Sequence, residues 1–378
     1  MNILITGAKG FIGRNLTATL QTMPQYTLFL ADIDTPEELL IDYTANADFV
    51  FHLAGINRPQ TVGEFKEGNF DFTTSLLSLL AKGKKPPVVL SSSTQATLSN
   101  PYGESKRCAE EAVFQYSKQH NTPVYVYRLT NVFGKWSRPF YNTVVATFCY
   151  QISRNMPVTI SDTTTTLQLV YIDDVLDEFI GLLDEKVMHY NENQSFCCCN
   201  PTYTITLGAL HECLMQFHNN RSTLTIVDQS DPLIKKLHAT YLSFLPIEDF
   251  SKPTITHSDH RGSFTELLHM GGYGQVSLNI SKPHITKGEH WHHSKHEKFI
   301  VIQGEGEIRF RKLGEETIIR YQVTANPITV VDIPPGYTHA IENKGDTDML
   351  TIMWANECFD PSTPDTMALP VYLPKQEG

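Results

Sequence analysis

The chain has 378 residues, 41% apolar and 19% charged, with a net charge of −11. This is an ordinary composition for a soluble globular protein, and at about 100–200 residues per domain it predicts two domains. The acidic balance without a basic run argues against nucleic acid as a partner, and no apolar run is long enough to span a bilayer.

The seven cysteines are an odd number without CxxC spacing. Cys197, Cys198 and Cys199 are consecutive, so on a strand they alternate faces and cannot chelate together. They read as reduced thiols. Met1 leads into an apolar strand and a glycine motif without a charged-then-apolar leader, which predicts a cytoplasmic protein.

Asn2-Ile-Leu-Ile-Thr6 reads as a buried parallel strand. Gly7-Ala-Lys-Gly10-Phe11-Ile12-Gly13 follows, then a helical repeat from Arg14. Glycines at such a strand-to-helix turn let the backbone approach a pyrophosphate, and the helix N-terminus offers N–H groups to it. Asp32 ends the next strand, Tyr26–Asp32, 19 residues past Gly13. A carboxylate there bonds a ribose 2′-hydroxyl and repels a 2′-phosphate, which favours NAD(H). In the alternative, Asp32 faces solvent and Arg14 handles a phosphate.

Phe49–Asn57 and Pro87–Ser93 predict two more buried strands, with an amphipathic helix over Phe70–Lys82. Asn100-Pro-Tyr102-Gly-Glu-Ser-Lys106 comes next. On a helix, Tyr102 and Lys106 share one face. Ser93 ends a strand on the side where open α/β sheets bind ligands. Reducing a ketone needs a proton at oxygen as hydride reaches carbon, and a tyrosine hydroxyl beside a cation can supply it. Lys106 is that cation and can also hold a nicotinamide ribose. Ser93 would hydrogen-bond the carbonyl oxygen. Taken alone, Tyr-x-x-x-Lys is more simply an exposed helix pair.

In combination these stretches resemble the extended short-chain dehydrogenase/reductases that act on nucleotide sugars. The resemblance is carried by Gly7-x-x-Gly10-x-x-Gly13, His52-Leu53-Ala54-Gly55, Ser91–Ser93, Tyr102-x-x-x-Lys106, Arg128-Leu-Thr-Asn131-Val-Phe-Gly134 and Val170-Tyr-Ile-Asp-Asp174. It implies a Rossmann-type doubly wound parallel sheet and a Ser93, Tyr102, Lys106 triad. It implies cofactor contacts from Gly7, Gly10, Phe11, Ile12, Gly13, Asp32, Leu53, Ala54, Gly55, Tyr102 and Lys106. For a uridine-diphosphate sugar it implies contacts from Asn131, Arg138, Tyr141 and Asn142. Leu167-Gln168-Leu169 stands where the family often carries an arginine, so other residues must help clamp the diphosphate.

Leu207 to Tyr241 has helical spacing, with one apolar stripe of Leu207, Leu210, Cys213, Leu214 and Phe217. Pro246, Pro253 and Ser251-Lys-Pro-Thr interrupt it, which places a domain boundary near residue 250. The predicted domains are 1–250 and 251–378. Beyond the boundary, short alternating segments such as Lys298-Phe-Ile-Val-Ile-Gln and Met349-Leu-Thr-Ile-Met-Trp predict an all-β sandwich or small barrel.

This half holds the densest chemistry, Lys287-Gly-Glu-His290-Trp-His292-His-Ser-Lys-His-Glu297. On a strand His290 and His292 face the same side. Glu297 opens the next strand and His339 sits on a later one. These donors suit Zn²⁺ or another borderline divalent metal. His293 and His296 read as surface residues. Two stretches match the motifs of the cupin family. One is His290-x-His292-x-x-x-x-Glu297 with Gly304; the other is Pro334-x-Gly336-x-x-His339-x-x-x-Asn343. They imply a jelly roll.

Asp259-His-Arg261-Gly262-Ser-Phe264-Thr-Glu266 and Lys287-Gly288-Glu-His290 are similar to the cupin-fold 4-keto-sugar epimerases. Those enzymes use no metal, and a histidine at the His290 position removes the proton beside the ketone. His290 therefore stands as either metal ligand or base, since one lone pair cannot serve both. Lys287 could stabilise the enolate, and Arg261 is a candidate for a substrate phosphate.

Together the resemblances imply a bifunctional nucleotide-sugar enzyme. The cupin domain would epimerise UDP-2-acetamido-2,6-dideoxy-L-arabino-4-hexulose at C-3. The reductase domain would reduce the C-4 ketone with NAD(P)H to the L-talose sugar, for UDP-N-acetyl-L-fucosamine and capsule or O-antigen polysaccharide. They imply NADP(H), with NAD(H) left open by Asp32, Zn²⁺ in the cupin domain, and a homodimer. Two other classes stand beside this: a single-activity reductase whose cupin domain only dimerises or senses ligand, and a redox-sensing binding protein.

Overall fold

The computed structural model describes residues 1–59, 61, 63–184 and 196–373. The backbone forms two compact units, Met1–Met215 with Ser230–Pro246, and Gln216–Gln229 with Ile247–Gly378.

In the first unit, β1 (Asn2–Thr6), β2 (Thr27–Ala31), β3 (Phe49–His52), β4 (Val88–Ser93) and β5 (Val124–Leu129) form a parallel sheet in the order β2-β1-β3-β4-β5. Neighbouring side chains on β1 go to opposite faces: Ile3 and Ile5 join one core cluster, Leu4 the other. Both faces are covered, which is why the strand is apolar throughout. Helices Phe11–Leu20 and Ile172–Gly181 bury Leu16, Leu20, Val175, Leu176 and Phe179 in the first cluster. Helices Phe72–Lys82 and Pro101–His120 bury Leu76, Leu80, Ala109 and Val113 in the second. This is the doubly wound parallel sheet expected from the sequence. Strand order reverses between β1 and β3, so the glycine turn after β1 lies at the switch point where such sheets bind ligands.

A smaller sheet holds β6 (Asn131–Phe133), β7 (Thr166–Tyr171) and β8 (Thr202–Thr206). The helical pattern over Leu207–Tyr241 proves to be two helices, Leu207–Ser222 and Pro232–Leu242. Asp231 restarts the second by accepting from the N–H groups of Leu233 and Ile234, and Pro232 sits in its first turn.

One buried ion pair braces β4 and β5. Glu110 accepts two hydrogen bonds from Arg128, at 2.9 and 2.6 Å, and one from Ser92 at 2.5 Å. The Arg128 guanidinium stacks 3.6 Å from the Phe196 ring centroid. Replacing Glu110 by Ala leaves a largely buried guanidinium without its partner. The expected loss is about 3 kcal/mol of unfolding free energy, read from the urea midpoint.

The second unit is all-β. Its strands are β9 (Thr256–Asp259), β10 (Gly262–His269), β11 (Gln275–Ser281), β12 (Thr286–Trp291), β13 (Glu297–Gln303), β14 (Glu305–Lys312), β15 (Ile318–Thr324), β16 (Val330–Ile333), β17 (Tyr337–Asn343), β18 (Met349–Ala355) and β19 (Met367–Ala368). They form two antiparallel sheets, β16-β13-β18-β11-β10-β9 and β15-β14-β17-β12-β19. One core joins them, with Phe299, Val301 and Val331 from the first sheet meeting Ile308, Phe310 and Ile341 from the second. The pairing of β12 with β17 is irregular between Gly288 and His290. Gly288 has φ +99, and a Cβ there would lie 2.8 Å from the carbonyl oxygen of His339. Only glycine fits this bulge, which aims the following histidines.

Candidate active sites

In the first unit the glycine requirement is steric. Gly7 has φ +67, and its Cβ would come 2.7 Å from the backbone nitrogen of Ala54. A Cβ on Gly13 would come 2.1 Å from the carbonyl oxygen of Gly7. The turn therefore packs against Leu53 and Ala54 after β3. Gly10 precedes the helix that begins Phe11-Ile12-Gly13 and offers it no side-chain cap, so the first N–H groups face the turn. Asp32 lies beyond the end of β2, where its carboxylate accepts the N–H of Lys9 at 2.7 Å.

Ser93, Tyr102 and Lys106 come together at the C-terminal end of β4. The three serines of that strand do different things. Ser92 bonds to Glu110 and Ser91 donates to the carbonyl of His52 at 3.4 Å. Ser93 lies against the Tyr102 hydroxyl. Burial raises the Tyr102 pKa, and the hydrogen bond with Ser93 opposes the rise. One helical turn on, Lys106 is buried and donates to the carbonyl of Ser91 at 3.1 Å. Burial lowers its pKa to about 8, against the pull of Glu110. His52 bridges Thr6 at 2.7 Å and Thr73 at 2.8 Å. Burial, with Lys106 nearby, lowers its pKa to about 3, so it is neutral and structural.

Asn69 was not singled out from the sequence. It lies in a π-helical stretch, Lys66–Asp71, that precedes the helix expected from Phe70. Its side chain takes the N–H and gives to the carbonyl of Ile56, both at 2.9 Å, and donates to Ser105 at 3.0 Å. It thereby holds the loop whose Gly55 presses on the Lys106 ammonium; a Cβ there would be 3.0 Å from Nζ.

Asn131 is exposed at the start of β6 and donates to the carbonyl of Gln168 at 3.1 Å. Arg138 lies over the Tyr141 ring, 4.9 Å from its centroid, and Asn142 adopts φ +55 in the same turn. Arg58, also not anticipated, reaches this segment by a hydrogen bond to the carbonyl of Phe140.

In the second unit, ligand atoms of His290, His292, Glu297 and His339 all lie within 4.8 Å of one another. His290 and His339 are register partners across β12 and β17, with ring centroids 4.6 Å apart. Nδ1 of His292 bonds to the carbonyl of Asp365, which directs Nε2 inward. Among the described residues, the Nε2 atoms of His292 and His339 are buried without a hydrogen-bond partner. They lie 3.4 and 3.5 Å from Oε2 of Glu297. Burial alone would raise the Glu297 pKa, but the two imidazoles and Lys295 hold the carboxyl well below its usual range. Burial and the neighbouring imidazoles lower the pKa of His290 to about 4.

Unpaired buried acceptors cost about 1–3 kcal/mol each, and a cation removes that cost. Two such nitrogens converging on an ionised carboxylate fit a borderline divalent metal. Asp365, likewise missed, orients the site. Its carboxylate accepts the N–H groups of His293, Ser294 and Lys295 at 2.8, 2.8 and 2.9 Å.

His293 and His296 are exposed, against Trp291 and Trp354, and are not among the four. Neither is Lys287, whose ammonium goes to Asn279 Oδ1 at 2.8 Å and the carbonyl of Ile280 at 2.9 Å. Arg261 closes on Asp259 with contacts of 2.9 and 2.7 Å.

A parallel sheet with a glycine turn and a Ser–Tyr–Lys cluster defines a dinucleotide-dependent oxidoreductase or epimerase. Residues 3–192 match the NAD dependent epimerase/dehydratase family, and residues 257–367 match the polysaccharide biosynthesis C-terminal domain. The chain belongs to that epimerase/dehydratase family and carries that C-terminal domain. It is 41% identical to a UDP-2-acetamido-2,6-beta-L-arabino-hexul-4-ose reductase of Pseudomonas aeruginosa, over 98% of this chain and 99% of the relative. It is 46% identical to the capsular polysaccharide assembling protein CapF of Staphylococcus aureus, with a TM-score of 0.92, over 98% of this chain and 100% of that one. A UDP-glucuronic acid 4-epimerase from Bacillus cereus shares the fold, at 19% identity and a TM-score of 0.55 over 65% of this chain and 99% of that one.

Proposed function

We propose that this chain is a bifunctional enzyme acting on a UDP-linked 2-acetamido-2,6-dideoxy-4-hexulose. The all-β unit epimerises the sugar at C-3, and the parallel-sheet unit reduces the C-4 ketone, in a route to capsule or O-antigen polysaccharide. The observation that carries this reading is the pair of residue clusters on one chain, Ser93–Tyr102–Lys106 and His290–His292–Glu297–His339, together with similarity to a 4-hexulose reductase over 98% of the chain. The all-β unit is read as a cupin, the chain as a homodimer.

When bound, a dinucleotide would supply hydride to the ketone carbon in the reductase site. Ser93 hydrogen-bonds the ketone oxygen, Tyr102 passes its proton to that oxygen, and the Lys106 ammonium stabilises the phenolate left behind. Asn131, Arg138, Tyr141 and Asn142 are read as the side that receives the nucleotide sugar. Lys106 is charged below its pKa of about 8, so kcat/KM for ketone reduction should fall as pH rises through about 8. A profile flat from pH 6 to 10 would remove Lys106 from this role.

In the other site, His292, Glu297 and His339 are read as the ligands of a divalent metal, with His290 free to take the C-3 proton. When bound, the metal would supply Lewis acidity for the ketone oxygen as negative charge develops there. A related CapF structure holds the inhibitor 3-isopropenyl-tropolone. A tropolone carries adjacent oxygens that chelate metals, which supports the metal reading. Lys287 and Arg261 are committed to other partners, so neither is assigned the enolate or the phosphate here.

The deciding experiment is incubation of the 4-keto sugar in deuterated water without dinucleotide. Deuterium should appear at C-3. If none does, the all-β unit has no epimerase role, and a single-activity reductase is left.

A further inference from the structure

Resting on the reductase reading, we propose that this chain selects NADH over NADPH, and that Asp32 and Asp34 set the choice. Beyond the end of β2 is a cleft of about 280 Å³, lined in part by Ala8, Lys9, Asp32, Asp34 and Thr35. It adjoins the glycine turn, where the adenosine end of a dinucleotide lies in such sheets.

The Asp32 carboxylate is fixed there. Oδ2 accepts the N–H of Lys9 at 2.7 Å and Oδ1 accepts the N–H of Ile33 at 2.9 Å. The N–H of Asp32 itself donates to Thr35 Oγ1 at 2.8 Å. Turning the carboxylate away would break two backbone bonds. An ionised carboxylate has about four lone-pair directions, so roughly two remain for ribose hydroxyls. A 2′-hydroxyl can donate to them. A 2′-phosphate is an acceptor with a charge of about −1.5 to −2, and it would face a fixed anion.

Lys9, the cation lining this cleft, is paired with Asp34. Two carboxylates thus stand against one ammonium. Arg14, the other phosphate candidate, lies over the Trp136 ring, 4.6 Å from its centroid. The pair of Lys9 and Asp34 is exposed and screened by salt, so the discrimination rests first on Asp32 and second on Asp34. The resemblance to nucleotide-sugar reductases implied NADP(H); this end of the cleft is built for the unphosphorylated ribose.

The test is direct binding, without sugar. The native protein is titrated with NADH and with NADPH, and the fluorescence of the bound dihydronicotinamide is followed. NADH should bind tighter by about tenfold or more, the fold-change that one hydrogen bond to a charged acceptor carries. Asp32→Ala should weaken NADH and strengthen NADPH enough to invert the order. Asp34→Asn should strengthen NADPH by releasing Lys9. Equal or tighter NADPH binding by the native protein overturns the proposal and leaves the reductase reading intact. Binding of neither dinucleotide overturns the reductase reading itself. The native titration decides the matter even if a variant fails to fold.

Discussion

Replacing Tyr102 by Phe is expected to lower kcat for ketone reduction by about 10²–10⁴-fold, the usual contribution of a positioned general acid. The change removes one oxygen and keeps the ring, which packs 5.5 Å from the Phe65 ring centroid, so folding should be intact. Dinucleotide binding should persist, because Lys106 and the glycine turn, also read as cofactor contacts, are untouched. The direction of the Tyr102 shift supports the role. Burial raises its pKa, so the hydroxyl is protonated at neutral pH and can donate. Burial alone would also make it a poorer acid, and the bond with Ser93 opposes that by stabilising the phenolate. C-3 deuterium exchange belongs to the other unit and should survive. A Tyr102→Phe enzyme with native kcat would show that the proton comes from elsewhere.

What was legible in the sequence follows from what each residue needs. The glycine turn was legible because steric exclusion leaves no alternative: Gly13 abuts the carbonyl of Gly7 at a distance no side chain tolerates. The Tyr102–Lys106 spacing was legible because a helix puts those positions on one face. The choice among three serines was not. Ser91 and Ser93 point the same way on β4, and only the packing of helix Pro101–His120 brings Tyr102 to Ser93 and Glu110 to Ser92.

Asn69 was invisible because it works through backbone bonds, presented from a π-helical turn with no periodic signature. Asp365 was invisible for another reason: it meets His292 across 73 positions of chain. The histidine motif is legible as a set of neighbouring donors because strand alternation puts His290 and His292 on one side and pairing of β12 with β17 puts His339 opposite them, and the four ligand atoms lie within 4.8 Å of one another. Lys287 and Arg261 carry the right charge for an enolate and a phosphate; Lys287 instead bonds to Asn279 and Ile280 on β11, a contact no local pattern reveals, whereas Arg261 pairs with Asp259 only two positions away.

The second large effect is expected at Glu297. Changing it to Gln should reduce bound divalent metal more than tenfold and abolish C-3 deuterium exchange, while ketone reduction by the other unit persists. Glu297 is the one carboxylate among the four donors, and it is ionised despite burial. A glutamine keeps the shape and removes the charge that balances a dication. Metal content is read by elemental analysis, and native protein freed of metal by a chelator supplies the reference. Metal at a thousandfold excess over its Kd adds about 4 kcal/mol to stability, so the native protein should lose thermal midpoint on chelation and the Glu297→Gln protein should not.

His290 separates the two roles that the sequence left open. If it is the base, His290→Asn keeps the metal and loses exchange. Loss of both would place it among the ligands, and the base would have to be sought elsewhere. Its pKa of about 4 leaves the ring neutral at pH 7, as either role requires. The buried, unpartnered nitrogens belong to His292 and His339, whereas His290 is only half-buried and has no such unpartnered atom. That asymmetry is why retention of metal is the expected result.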